Sequence, residues 1–213
     1  METRSKEIKA RHQPQVSMRV TPGHFATRNS HINYYVDMTD IKCLHSAARL
    51  AARELAAQYA LLTPVDTIVC LDGTEVLAAF LAAALSDDNA RGVNAGKQIA
   101  ILTPEINTSG QLMFRENNQP MLWNRQVLLL VASATTGNTI SQAMDCINYY
   151  NGQVSGISAI FSAIPEVGGI AIQAIFTDED VLGYATYSPA DCPDCKAKRK
   201  IDALVNSYGY SRL

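Results

Sequence analysis

The chain has 213 residues, enough for one domain with a full core, and 47% of them are hydrophobic against 18% charged, an ordinary balance for a globular protein. A net charge of −2 argues against a nucleic-acid-binding surface, and the longest apolar run, Val76 to Leu85, is too short to span a bilayer. Five cysteines with only one close pair argue against a secreted disulfide framework, and the polar stretch Met1 to Gln13 reads as neither signal peptide nor anchor, so a cytoplasmic location is expected.

Residues 1–15 read as a polar lead or a first helical turn. Val16 to Val20 alternates as a short strand, and Pro22-Gly23 breaks the chain. A polar loop with His24 and His31 follows and ends in the aromatic strand Tyr34-Tyr35-Val36; loop histidines of this kind are more often structural than catalytic. Thr39 or Asp40 can cap a helix running to about Tyr59. Asp66 to Leu71 reads as a buried strand, Asp72-Gly73-Thr74-Glu75 as a turn, and Val76 to Leu85 as a helix. Asp87-Asp88-Asn89 lies in a polar loop with no further metal ligand at set spacing. Gln98 to Leu102 is a third strand. Pro104 to Asn124 is polar and turn-rich, as a hairpin or mobile flap would be.

Val127-Leu128-Leu129-Leu130-Val131 has the unbroken apolar character of a strand buried on both faces. Thr135-Thr136-Gly137-Asn138-Thr139 then leads into helical spacing at Ile140, Ala143, Met144, Ile147 and Tyr150. A strand, a tight hydroxyl-rich turn and a helix start form a cradle for an anion. The free N–H groups and the dipole at the helix N-terminus favour negative charge, and phosphate is the natural guest. The turn at Asp72–Glu75 repeats this design, and both turns belong at the carboxyl edge of one parallel sheet, where open α/β sheets bind ligands. Further strands are expected at Val154 to Phe161, Ile170 to Phe176 and, after the Asp178-Glu179-Asp180 turn, Val181 to Tyr187. Lys196-Ala197-Lys198-Arg199-Lys200 reads as a solvated face, and a short helix is expected from about Lys196 to Val205. Cys192-Pro193-Asp194-Cys195 supplies two zinc ligands and needs two more. No His or Cys near it in sequence offers them, which leaves a structural turn with free thiols, a metal pair and a redox dithiol all open.

This arrangement resembles the type I phosphoribosyltransferases, and within them the orotate phosphoribosyltransferases, from Gly23 to about Ile201. Gly23-His24-Phe25 with Tyr35-Val36-Asp37 is similar to that group's N-terminal signature, with the loop between them altered to Arg28-Asn29-Ser30-His31. Cys192-Pro193-Asp194-Cys195-Lys196 is similar to the tail of one branch and favours the structural reading of the two cysteines. The resemblance implies an α/β fold, a parallel sheet flanked by helices, in a single domain over residues 1–213. Residues 1–37 would form a hood, 104–124 a flap and 188–213 a C-terminal tail. It implies a sugar phosphate or nucleotide as ligand, with phosphoribosyl pyrophosphate as donor and magnesium only where that pyrophosphate is bound. The 5′-phosphate would sit at Thr135, Thr136, Gly137, Asn138 and Thr139, and the pyrophosphate against Asp72, Gly73, Thr74 and Glu75. The base would face Arg28, Tyr34 and Tyr35, and Arg115 would be the flap's basic group. No residue of the chain is assigned as a metal ligand, no nucleic-acid or membrane partner is implied, and a homodimer is expected.

Two departures stand beside the resemblance. The adjacent acids that hold the ribose hydroxyls in that family fall at Val131 and Ala132, and the flap carries Arg115 as its only basic residue between Pro104 and Asn124. Three readings follow: a working transferase acting on a pyrimidine base, a catalytically silent member that binds nucleotide or ribose phosphate, and a partner role for the fold.

Overall fold

A computed structural model describes residues 4–59, 62–87 and 92–213; Met1 to Thr3 and the Asp88-Asn89 part of the acidic loop lie outside them. The polar lead is a strand, β1 (Lys6–Lys9), paired antiparallel with the first half of β2 (Ser17–Ala26). Pro22-Gly23 does not end β2. The strand runs through it as an irregularity between Pro22 and Phe25 in its pairing with β3 (His31–Asp37), the kind of position at which a sheet tolerates proline. The expected single helix is two, α1 (Thr39–Cys43) and α2 (His45–Tyr59), parted where Leu44 turns extended at φ −96°, ψ 116°.

The chain then alternates strand and helix through β4 (Thr67–Cys70), α3 (Glu75–Leu85) and β5 (Ala100–Leu102). The hairpin β6 (Glu105–Ile106) and β7 (Leu112–Met113) follows, then β8 (Gln126–Ala134), α4 (Asn138–Tyr149) and β9 (Gln153–Ser162). After β10 (Glu166–Val167) and β11 (Ile170–Thr177), Asp178–Asp180 forms a 3-10 turn, and only Thr186–Tyr187 of the expected next strand pairs, as β12. The tail differs most from expectation: after the single turn α5 (Pro193–Lys196) it forms β13 (Ala203–Asn206) and β14 (Gly209–Arg212) instead of a longer helix.

Strands β11, β9, β8, β4 and β5 form a parallel sheet in that order, with β10 antiparallel at one edge. β8 lies inside it, so its apolar run must be covered twice, and Val127 through Ala132 are all buried. Alternation along the strand divides them between two cores. Leu128, Leu130 and Ala132 pack with Leu55, Leu77 and Leu81 of α2 and α3. Val127, Leu129 and Val131 pack with Ile140, Ala143 and Ile147 of α4. Each fully buried leucine here stabilises the fold by roughly 1.5–3 kcal/mol.

A second sheet, in the order β12, β3, β2, β13, β14, brings the C-terminus back beside the N-terminal hairpin. β13 joins parallel to the end of β2, pairing Ala203 with Phe25 and Leu204 with Ala26. Phe25, Ile32, Tyr35 and Ala203 make a small core of its own.

Candidate functional site: a cleft at the carboxyl edge of the parallel sheet

β8 carries Thr135 and Thr136 out of the carboxyl edge, and Gly137 turns the chain into α4 at φ +77°, a left-handed conformation that glycine adopts without penalty. The turn is backed by apolar groups, since a Cβ at 137 would lie 2.9 Å from Val167 Cγ2 and 3.2 Å from Ile164 Cδ1. Its other side is open. Thr135, Thr136 and Thr139 line a cleft of about 360 Å³ between the two sheets. Gly137 is buried and Asn138 is exposed beyond the cleft wall. The first amides of α4 have no carbonyl one turn back, as at any helix start, so this corner presents donors to an anion.

The second turn divides more sharply. Asp72 lines the cleft, and it and Gly73 both hold positive φ, 61° and 74°. Thr74 is fully buried, and its hydroxyl donates to the carbonyl oxygen of Leu71 at 2.9 Å, which makes it a structural peg. Glu75 points along the exposed side and accepts the hydroxyl of Thr103 at 3.0 Å. Lys42 of α1, which sequence reasoning missed, lines the cleft and ties its walls together. Its Nζ donates to the Asp72 carbonyl at 2.9 Å and to the Ser207 carbonyl in the turn between β13 and β14. Burial pushes the Asp72 carboxyl above the usual carboxylate range, against the opposing pull of Lys42 and the Ala132 amide that donates to it.

On the far wall, Arg28 and Tyr35 line the cleft while Tyr34 is half-buried against the main core. The Arg28 loop is held by Thr27, whose Oγ1 donates to the Ser30 carbonyl at 2.9 Å and accepts the Ser30 amide at 3.0 Å. The Arg28 guanidinium reaches the tip of the β6–β7 hairpin, 3.8 Å from where a Cβ on Gly110 would stand. Tyr35 stacks edge-on against Tyr210, with centroids 5.1 Å apart, and burial raises its phenol to about 12. The turn from Asn206 to Gly209 completes this wall. The expected helix from Lys196 to Val205 stops short of it, and sequence reasoning gave this turn no part in the site.

Arg115 does not reach the cleft. Its guanidinium is paired with Glu105 across the hairpin at 2.7 and 3.0 Å, and Ile106 is the hairpin's contribution to the lining. Of the two positions at which the resemblance places ribose-holding acids, Ala132 borders the cleft and Val131 faces the α4 core. Among the described residues, Asp72 is the one carboxylate in the lining. A magnesium ion is commonly held by one or two carboxylates together with substrate phosphates and water, and Asp72 would supply one such carboxylate here. A second convergence lies outside the cleft, where His24, His31, Cys192 and Cys195 present ligand atoms within 4.8 Å of one another.

Comparison with solved structures gives the same architecture. The UMP synthase of Leishmania donovani superposes with a TM-score of 0.55 at 15% identity, over 76% of this chain and 34% of that one. The adenine phosphoribosyltransferase of Thermoanaerobacter pseudethanolicus gives 0.51 at 14% identity, over 83% and 96%. The orotate phosphoribosyltransferase of Mycobacterium tuberculosis H37Rv, in complex with 5-phospho-α-D-ribosyl 1-diphosphate, gives 0.50 at 18%, over 69% and 82%. The chain has a type I phosphoribosyltransferase-like α/β fold, and it spans about a third of the Leishmania protein's length. No family model and no curated protein matches its sequence. No helix among the described residues is long and apolar enough to cross a membrane.

Proposed function

We propose that the chain binds a 5-phosphorylated ribose compound, a nucleoside monophosphate or ribose 5-phosphate, with its phosphate on the turn from Thr135 to Thr139. The observation that carries this reading is the opening of Thr135, Thr136 and Thr139 onto the cleft beside the start of α4. Arg28 and Tyr35 stand where a base would lie, and an orotate-like pyrimidine is the base this reading favours. Asp72 lies on the neighbouring wall, with Lys42 as its cation.

Transfer from a pyrophosphate donor is poorly supported. Charged hydrogen bonds contribute about 1.5–3 kcal/mol each, so alanine and valine in place of two ribose-holding acids cost roughly 3–6 kcal/mol, or about two to four decades of donor affinity. The pairing of Arg115 with Glu105 removes a cation from the leaving group. A second reading, an active transferase, draws on Asp72, whose carboxylate accepts the Ala132 amide and so stands beside the missing acids. The names of the structural neighbours favour that chemistry as well. One domain with its hood, flap and tail, a cytoplasmic location and a homodimer belong to both readings.

The test is thermal unfolding with uridine monophosphate, ribose 5-phosphate, inorganic phosphate, and the pyrophosphate donor with magnesium. Stabilisation by the monophosphates, lost in Thr136→Val, is expected. No stabilisation by any of them at millimolar concentration overturns the proposal. Orotate consumed with release of pyrophosphate establishes the transferase.

A further inference from the structure

We infer that His24, His31, Cys192 and Cys195 form a structural zinc site that fastens the C-terminal tail to the N-terminal hairpin. His24 lies in β2 and His31 opens β3, while the two cysteines flank the start of α5. His24 Nε2 lies 3.1 Å from His31 Nδ1, 3.5 Å from Cys192 Sγ and 3.6 Å from Cys195 Sγ, and Cys195 Sγ lies 3.2 Å from His31 Nδ1. Zinc bound tetrahedrally, with Zn–N about 2.0–2.1 Å and Zn–S about 2.3 Å, sets edges between ligand atoms of roughly 3.3–3.8 Å. Four of the six edges stand close to that spacing, and all four ligand atoms lie within 4.8 Å of one another.

Hydrogen bonding alone does not account for this geometry. The other nitrogen of His24, Nδ1, faces the carbonyl oxygens of Arg199 and Lys200 at 3.2 and 3.3 Å. Carbonyls only accept, so Nδ1 carries the proton and Nε2 presents a lone pair to the cluster. Three groups converge on that lone pair, the His31 nitrogen and two thiols, and it can satisfy one donor. A cation at the centre satisfies all four groups at once. Fixing one histidine nitrogen by a backbone carbonyl while the other faces the metal is the arrangement that zinc sites use.

The chemistry of the set selects the metal. Two sulfurs and two imidazoles in a tetrahedron suit zinc, and four protein ligands leave no open position for substrate, which makes the role structural. Binding releases the two thiol protons to solvent, and two thiolates balance the ion's charge in a place where His24, His31 and Cys192 are all buried. The consequence reaches the cleft. Thr27 to Ser30, which line it, are the loop between the two histidines, and the Asn206–Gly209 wall follows directly from the tail that the cysteines anchor.

The full chain, expressed with zinc in the medium and purified without chelators, is expected to hold about one zinc ion by elemental mass spectrometry. Replacement by cobalt(II) should give thiolate charge-transfer bands and the intense d–d bands of a tetrahedral ion. C192S/C195S should lose both signals. Chelation of the parent should lower its unfolding temperature and speed tryptic cleavage at Arg28, with recovery on adding zinc. Should the double variant fail to fold, competition of the parent with a chromophoric chelator measures the same site. Folded parent protein with no zinc above background and no tetrahedral cobalt spectrum overturns the inference. So does zinc retained in C192S/C195S, or a Cys192–Cys195 disulfide in the metal-free chain as purified.

Discussion

Gly137→Ala tests how the turn from Thr135 to Thr139 is built. An L-residue held at φ +77° pays about 1–2 kcal/mol for the left-handed conformation. Its methyl group would also meet Val167 Cγ2 at 2.9 Å and Ile164 Cδ1 at 3.2 Å, and crowding of that kind in a packed site costs typically about 1–3 kcal/mol. The sum is about 2–5 kcal/mol, and at about 2–4 °C per kcal/mol for a chain of this size the unfolding temperature should fall by about 4–20 °C. Gly169→Ala separates the two contributions, because Gly169 has φ +78° but nothing within 4 Å of the added methyl. It should show the conformational part alone. Urea unfolding followed by circular dichroism and by tryptophan fluorescence measures both variants. If Gly137→Ala loses no more than Gly169→Ala, the turn is not braced against β10, and the account of how it is held open toward the cleft fails.

Tyr59→Phe should destabilise the chain by about 1–3 kcal/mol, because the buried hydroxyl donates to the Ile157 carbonyl at 2.8 Å and accepts from Ser158 at 3.0 Å; an unchanged urea midpoint would contradict this. Asp72 binds its proton more tightly folded than unfolded because of burial. Stability should therefore fall as pH rises from the ordinary aspartate range, about 3.9, through the raised value of the folded state, and level off above it. Asn tolerates the φ of 61° at this position, so Asp72→Asn should remove that fall, and equal pH slopes in the two proteins would refute the assignment. Arg115→Gln should change neither the unfolding midpoint nor nucleotide binding, since the guanidinium is exposed and engaged by Glu105. A marked loss of binding would place it at the ligand after all.

The parallel sheet was legible in the sequence because its signals are local. A strand covered on both faces must be apolar throughout, so Val127 to Val131 announce β8, and the spacing of Ile140, Ala143 and Ile147 announces α4. The turn from Thr135 to Thr139 was legible as a strand-turn-helix corner for the same reason, since the three follow one another without interruption. The roles within the second turn were not. Whether Thr74 and Glu75 face a ligand or the protein depends on the Leu71 carbonyl and on Thr103, and only packing orients them.

What lies on the page as separate pieces of chain is joined by one tertiary event, the pairing of β13 beside β2. It makes strand of the end of a stretch that reads as a helix, from Ala203 on, and delivers Ser207 to Lys42. It also sets Cys192 and Cys195 against histidines about 170 residues away. Sequence by itself determined the α/β sheet and the hydroxyl-rich corner, because periodicity and turn chemistry act over a few residues. Only the tertiary structure decided which walls enclose the cleft and which four side chains meet outside it, because strand pairing brings together positions whose separation along the chain carries no local trace.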